Sequence, residues 1–418
     1  MKLFLILLAI SLNLQAETTL IKAKGYIDVQ QGQLIQPANI VIDGETITAV
    51  NPQNLPAEAK VIDLGEQIIL PGLMDMHAHL DLDFNGGFDD ILTKESASKG
   101  ALRGAKNAEK TLLAGFTTVR NIGQVHITTD MIDVALAQAS DAGWIVAPRI
   151  IPAGHMISIQ GGHGDLTLGL AADLIEQTPK NGIINGADEA IAAVRYQIKN
   201  GAKVIKMHAT AGVLSMEDSV GAQQLSDAEM QAIVEETHRH GMRVAAHAHG
   251  TEGIKAAIRA GVHSIEHGSL LDDEGIKMMK KNKVYLVPTT GCDDFIDTST
   301  LHPKLAEKAE YVLPLAQANL KKAIKAGVPI ALGTDSPLIP HGQNAYELSA
   351  MMEHGMDAAD ALRTATINAA DLLGKADRGQ IKAGLLADLI AVDENPLENI
   401  KTTENVQFVM KGGKIYKN

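Results

Sequence analysis

Between residues 71 and 378 one pattern recurs: a helical stretch closes on glycine, and a short β-branched or apolar run follows within a few residues. Its instances are Leu112-Leu-Ala-Gly-Phe-Thr-Thr-Val, Asn200-Gly-Ala-Lys-Val-Ile-Lys, His240-Gly-Met-Arg-Val-Ala-Ala-His, Ala260-Gly-Val-His-Ser-Ile-Glu-His and Ala326-Gly-Val-Pro-Ile-Ala-Leu-Gly-Thr-Asp. Glycine supplies the left-handed cap that ends a helix and lets the chain turn back into a strand. Strand signals fall near 73–79, 117–121, 150–153, 204–208, 244–247, 263–267, 284–287 and 330–335. Strands alternating with helices predict an α/β chain with a (β/α)8 TIM-type barrel over 71–378, whose site lies at the strand C-termini. An open doubly wound sheet is disfavoured, because no Gly-x-Gly-x-x-Gly loop opens a helix.

The flanks read differently. Asn39-Ile-Val-Ile-Asp-Gly, Thr46-Ile-Thr-Ala-Val and Lys60-Val-Ile-Asp are strand-like with turn punctuation, and so are Ala387-Asp-Leu-Ile-Ala-Val-Asp and Val406-Gln-Phe-Val-Met-Lys-Gly-Gly-Lys-Ile-Tyr. Such signals at both ends predict one small β-sandwich domain built from 18–70 and 379–418.

Met1-Lys2, an apolar run from Leu3 to Leu14, and then Gln15-Ala16-Glu17 read as a signal peptide over 1–16, cleaved after Ala16. Leu14 is larger than the small residue preferred two positions before Ala16. The run is shorter than the roughly 20 apolar residues that span a bilayer, and no cysteine follows it to carry a lipid. The expected location is periplasmic or secreted, with no stable membrane anchor. A formal charge of −13 with scattered lysines and arginines argues against a nucleic-acid partner. The single cysteine, Cys292, excludes an intrachain disulfide.

Polar residues close the strand signals. His77 and His79, at i and i+2, leave one strand on the same face and suit chelation of a divalent metal. Lys206, His247, His267 and Asp335 end later strands. Each has a bland explanation alone: a hydrogen-bonded histidine, a lysine reaching out from the rim, an aspartate capping the next helix. Together they can bind two borderline-soft ions. Lys206, in the apolar run Val204-Ile-Lys-Met, would be neutral if buried beside metals, and a neutral amine can take up CO2 as a carbamate, a two-oxygen anionic bridge.

These motifs resemble the amidohydrolase superfamily, in its dinuclear zinc subgroup with a carboxylated lysine. Within it the chain is similar to Xaa-Pro dipeptidase-like (prolidase-like) and imidazolonepropionase-related hydrolases. The likeness spans nearly the whole mature chain. It is carried by Pro71-Gly-Leu-Met-Asp-Met-His-Ala-His, Gly161-Gly-His-Gly-Asp, Val204-Ile-Lys-Met-His-Ala-Thr-Ala-Gly-Val and Ala245-Ala-His-Ala-His-Gly. Ser264-Ile-Glu-His-Gly, Leu332-Gly-Thr-Asp-Ser, Pro340-His-Gly-Gln-Asn and Ala383-Gly-Leu-Leu-Ala-Asp-Leu add to it. The resemblance implies that His77, His79 and Asp335 hold one zinc and His247 and His267 a second, with carbamylated Lys206 and a hydroxide bridging. His208 departs from the small or apolar residue of relatives, and Ala211 from a more usual glycine.

The implied reaction is hydrolysis of an amide or peptide bond in a small molecule, a dipeptide first of all. Asp335 would act as general base and then general acid. Substrate contacts are expected from His155, His163, His208 and His341 on the loops at the strand ends. His263 reads as packing and His249 as lying behind the ligands. His126, His238, His240, His302 and His354 look solvated. A cyclic-amide, N-acyl amino acid or lactone hydrolase is the alternative. A mononuclear deaminase is disfavoured, since it would not need Lys206 and would want a glutamate nearer His247 than Glu252. A non-catalytic, exported metal-binding protein would be expected to have lost ligands. Exposed helices leave room for homo-oligomers.

Overall fold

The computed structural model describes residues 18–84, 88–171, 175–217 and 219–418. The export signal expected at 1–16 lies outside these residues. Among them no helix is long and apolar enough to cross a membrane.

Two parallel sheets carry the middle of the chain. The first orders β1 (Leu73–Ala78), β2 (Phe116–Asn121) and β3 (Arg149–Pro152) side by side. The second orders β4 (Val204–His208), β5 (Arg243–Ala248), β6 (Ser264–His267) and β7 (Tyr285–Val287). Helices alternate with these strands, and Gly201 and Gly261, both left-handed, cap the helices that precede β4 and β6. The sheets meet through a backbone bond: the N–H of Lys203, just before β4, donates to Pro152 O at the end of β3 at 2.7 Å.

The eighth strand expected at 330–335 is not a continuous ladder. The segment meets its neighbours at isolated bridges, Ile330 with Leu286 and Ser336 with Ala78, and through single backbone bonds such as Met76 N–H to Leu332 O at 2.8 Å. Local bonding explains the break. The Leu332 N–H turns to Thr364 O, while the N–H groups of Thr334 and Asp335 both donate to His77 O. Asp335 adopts φ +50, a left-handed conformation that a straight strand cannot contain.

Side chains alternate faces along a strand, and the alternation sorts core from site. Ile205, Met207, Val244, Ala246, Ala248 and Ile265 pack in one apolar cluster with helix residues such as Val194, Ile233 and Ala257. Met74 and Met76 pack with Val287, Ala331 and Ala369. The opposite parity (Asp75, His77, Lys206, His208, His247, Glu266) is polar yet buried.

The chain ends form two further sheets. Strands Thr46–Val50, Ala38–Asp43, Thr19–Ala23 and Lys60–Asp63 make one of four. Lys414–Lys417, Phe408–Lys411, Leu389–Val392, Ile68–Pro71, Gly25–Asp28 and Gln33–Ile35 make one of six, so both termini contribute to it. Ile21, Ile40 and Ile47 of the first sheet share a core with Ile69, Leu389 and Phe408 of the second.

Candidate metal centre

Polar side chains converge where the parallel strands end. His77 and His79 direct Nε2 at Asp335 Oδ1, at 3.2 and 3.3 Å. Their other nitrogens are committed. His79 Nδ1 lies 2.7 Å from Gly123 O, and His77 Nδ1 lies 2.9 Å from Glu266 Oε2. A carbonyl or a carboxylate only accepts, so each Nδ1 carries the proton and each Nε2 keeps its lone pair for a metal.

Glu266 is itself held. It is fully buried, receives Arg120 Nη2 at 2.9 Å and takes a hydrogen bond from Ser264 Oγ at 2.5 Å. Burial would raise its carboxyl, but Arg120 and His77 outweigh that and bring it down to about 2. Asp75 does similar work: it accepts from Thr334 Oγ1 at 2.6 Å, Asn344 Nδ2 at 2.8 Å and the His77 N–H at 3.0 Å.

His267 would face the helices if β6 simply alternated. Its φ of +68 turns it into the site, and its Nδ1 lies 2.9 Å from the hydroxyl of Thr289, which is also left-handed at φ +50. Among the described residues, three of the five non-glycine residues with positive φ (His267, Thr289 and Asp335) thus belong to this one place. Such backbone persists only where its surroundings impose it, and it concentrates at functional sites.

His247 sits at the centre of a ring cluster. Its centroid is 4.2 Å from His163 in a stack, 4.6 Å from His249, 4.8 Å from His267 and 5.0 Å from His208. Its Nε2 is buried with no hydrogen-bond partner among the described residues, and so is His208 Nδ1. An unpartnered buried nitrogen costs about 1–3 kcal/mol, a cost that a metal ion on it would remove. Burial, reinforced by neighbouring histidines, lowers the basicity of His247, His267 and His208, and brings His163 to about 4 and His249 to about 3. These rings are therefore neutral at pH 7, the form that binds metal. Lys206 is 1% exposed, its side-chain amine makes no hydrogen bond or ion pair among the described residues, and burial pulls that amine down to about 8. Burial alone would raise Asp335, but His77 beside it holds its carboxyl well below the usual range.

Ligand atoms of three trios lie within 4.8 Å of one another: His77, His267 and Asp335; His247, His249 and His267; His163, His208 and His247. The cluster could hold metal. Of the histidines expected to touch substrate, His163 and His208 join it. Close packing makes room for them, since a Cβ on Gly212 would lie 2.2 Å from His163 and one on Gly164 2.2 Å from His208. His155 does not join: it is buried beside the Gln124 amide at 3.5 Å. His341 points Nε2 at Leu82 O, 3.1 Å away. His249, expected behind the ligands, lies among them and bonds Ser269 Oγ at 2.8 Å. His126, expected to be solvated, is 3% exposed and holds Glu95 O and the Thr128 N–H. His263 accepts from the Val244 N–H and packs as expected. Glu266, Arg120 and Asp75 escaped the sequence reading, although strand parity marks Glu266 and Asp75 as facing the same side as His77.

The sequence model of the Amidohydrolase family matches residues 68–416. The chain belongs to the amidohydrolase family. Ochratoxinase of Aspergillus niger is 34% identical over 98% of this chain and 91% of its own length. A crystal structure of a Xaa-Pro dipeptidase with methionine bound in its active site superposes with a TM-score of 0.91 at 38% identity, covering 96% of this chain and all of that one. A prolidase crystallised with N-methylphosphonate-L-proline gives 0.86 at 31%, with 96% and 100% covered. This amidohydrolase is accordingly a hydrolytic enzyme. Beside the histidines, an open cavity of about 720 Å3 is walled by Val213, Leu214, Ile296, Val312, Leu313 and Leu338, with Cys292 and Asp293 at its edge.

Proposed function

We propose that the protein is a dinuclear zinc-dependent hydrolase of amide bonds, and foremost a dipeptidase. The observation that carries this is the meeting of His77, His79, His247, His267 and Asp335 around ring nitrogens of His247 and His208 that lack partners among the described residues. His77, His79 and Asp335 would hold one ion, His247 and His267 the other, and Lys206, as a carbamate formed with CO2, would lie between them. Bound there, the ions would supply water acidified to a pKa of roughly 7 and a Lewis acid for the scissile carbonyl. Asp335, ionised and flanked by two imidazoles, would take the proton from the attacking water and return it to the leaving amine. His163 and His208 border the same space and are placed to orient the amide. The apolar wall of the cavity suits a dipeptide with an apolar residue, in keeping with the methionine and proline ligands of the two relatives.

The same reading takes the two parallel sheets and the 330–336 segment as a closed (β/α)8 barrel over 71–378, and the terminal sheets as a β-sandwich domain of 18–70 and 379–418. It also places the mature enzyme in the periplasm or outside the cell, with residues 1–16 removed. N-terminal sequencing of the exported protein tests the last point; an intact Met1 would overturn it. The function is tested by metal analysis joined to a screen of dipeptides and N-acyl amino acids. Two zinc ions per chain and turnover of dipeptides with an apolar residue are expected. Turnover of cyclic amides alone would move the assignment to an imidazolone-type hydrolase.

A further inference from the structure

A second large cleft lies at the other end of the parallel strands. It encloses about 1650 Å3 open to solvent and is lined by the first residues of β3, β4 and β5. Its charge is one-sided: Arg120, Arg149, Lys203, Arg243, Lys375 and Arg378 face it, against Asp141 alone among the lining residues. This concentration stands in a chain whose formal charge is −13.

Three of the cations are answered elsewhere. Arg120 pairs with Glu266, Arg149 with Asp388 and Arg378 with Asp377. Lys203, Arg243 and Lys375 make no ion pair among the described residues. Arg243 is close enough to Arg120 for its charge to disfavour the buried Arg120 guanidinium, behind the larger effect of burial. The C-terminus of the helix Ile367–Leu373 abuts Arg243, since a Cβ on Gly374 would lie 2.8 Å from its Nη2. That negative helix end favours one nearby cation; Lys203, on the strand side of the cleft, is left unanswered.

We propose that this cleft is a binding site for a small, multiply charged oxyanion of the phosphate class. Guanidinium groups present planar forks of donors matched to such oxygens, and ammonium groups add point charge. The cations approach from different elements, β2, β5 and the 375–378 segment, which suits a tetrahedral group better than a flat carboxylate. The innermost guanidinium, on Arg120, is 2% exposed and held by Glu266, so the ligand would meet Lys203, Arg243 and Lys375, with Arg120 adding charge from behind them. The site lies at the strand ends away from the metal ligands, and none of Lys203, Arg243 and Lys375 belongs to the hydrolytic machinery.

The test is calorimetric titration of the metal-loaded enzyme with inorganic phosphate at constant ionic strength, chloride balancing the salt. Saturable binding is expected. It should weaken at least tenfold in R243Q, and equally in the double variant K203Q/K375Q, whose exposed side chains make misfolding an unlikely confounder, while dipeptide turnover stays at the wild-type level. Phosphate bound instead at the metal centre would be insensitive to both variants. Binding unchanged in both, an equal response to chloride, or tighter binding of succinate than of phosphate would each overturn the proposal.

Discussion

The two walls of the metal centre are built to different degrees. On the wall of His77 and His79, each ring has its outer nitrogen tied, to Glu266 and to Gly123 O, and its inner nitrogen aimed at Asp335. On the wall of His247 and His208, a ring nitrogen of each is buried without a partner among the described residues. The first wall is preorganised by the protein; the second is completed by what binds there. An ion should therefore be gripped first by the tied wall, and the loose wall should contribute most to the stability gained on loading.

Breaking this contrast calls for Asp335 first, since it belongs to the tied wall and would carry the proton in the proposed reaction. D335N should keep the fold and lower kcat by about 10³-fold or more; steady-state kinetics on a dipeptide that showed near wild-type turnover would remove its role. Next comes the tie itself. E266Q leaves His77 with a neutral partner and should weaken metal binding about 10–100-fold, read by competition with a chromophoric chelator, and an unchanged affinity would mean that the tie does not matter.

The loose wall makes a prediction about acid. In metal-stripped protein the folded-state values of His163 and His249, about 4 and about 3, lie below the roughly 6.5 of an unfolded histidine. The unfolded chain then binds protons first as pH falls. Their contribution is present in full above pH 6.5 and is lost between about 6.5 and the folded values, on the order of 3 to 5 kcal/mol for each ring. Thermal melts of stripped enzyme should show Tm dropping through that window, and the loaded enzyme should resist. A parallel decline in both would contradict the contrast.

The smallest effect belongs to the cavity beside the loose wall. Burial pushes the Asp293 carboxyl up to about 7, with Gln317 opposing and Asp294 adding to the rise. The cavity edge is neutral below that pH and negative above it, so KM for an anionic dipeptide should rise about threefold between pH 6 and 8, a modest repulsion across solvent. D293N should flatten the profile; a KM that still rises assigns the effect to another group.

Legibility differed between these regions for physical reasons. Where strands alternate regularly, as at Lys206 in β4 and His247 in β5, residue type and spacing placed the side chain directly. The glycine caps at Gly201 and Gly261 made the strand starts readable. His267 and Asp335 were read as the ends of regular strands, but the left-handed backbone that turns them inward has no signature in non-glycine residues. The same turn at Asp335 breaks the ladder that the apolar run Ile330–Leu332 led one to expect. Loop histidines were the least readable. His163 and His155 lie on one segment, and only the packing of Gly212 against His163 and of Gln124 beside His155 separates them.

The central claim, two metal ions joined through Lys206, is tested most directly by metal content measured alongside the mass of the native chain. The wild type should carry two zinc ions and lose 44 mass units, as CO2, on acidification. K206A should hold no more than one ion, and added short carboxylic acids should partly restore the second. A wild type with one ion or none, or a K206A variant that keeps both, would contradict the account.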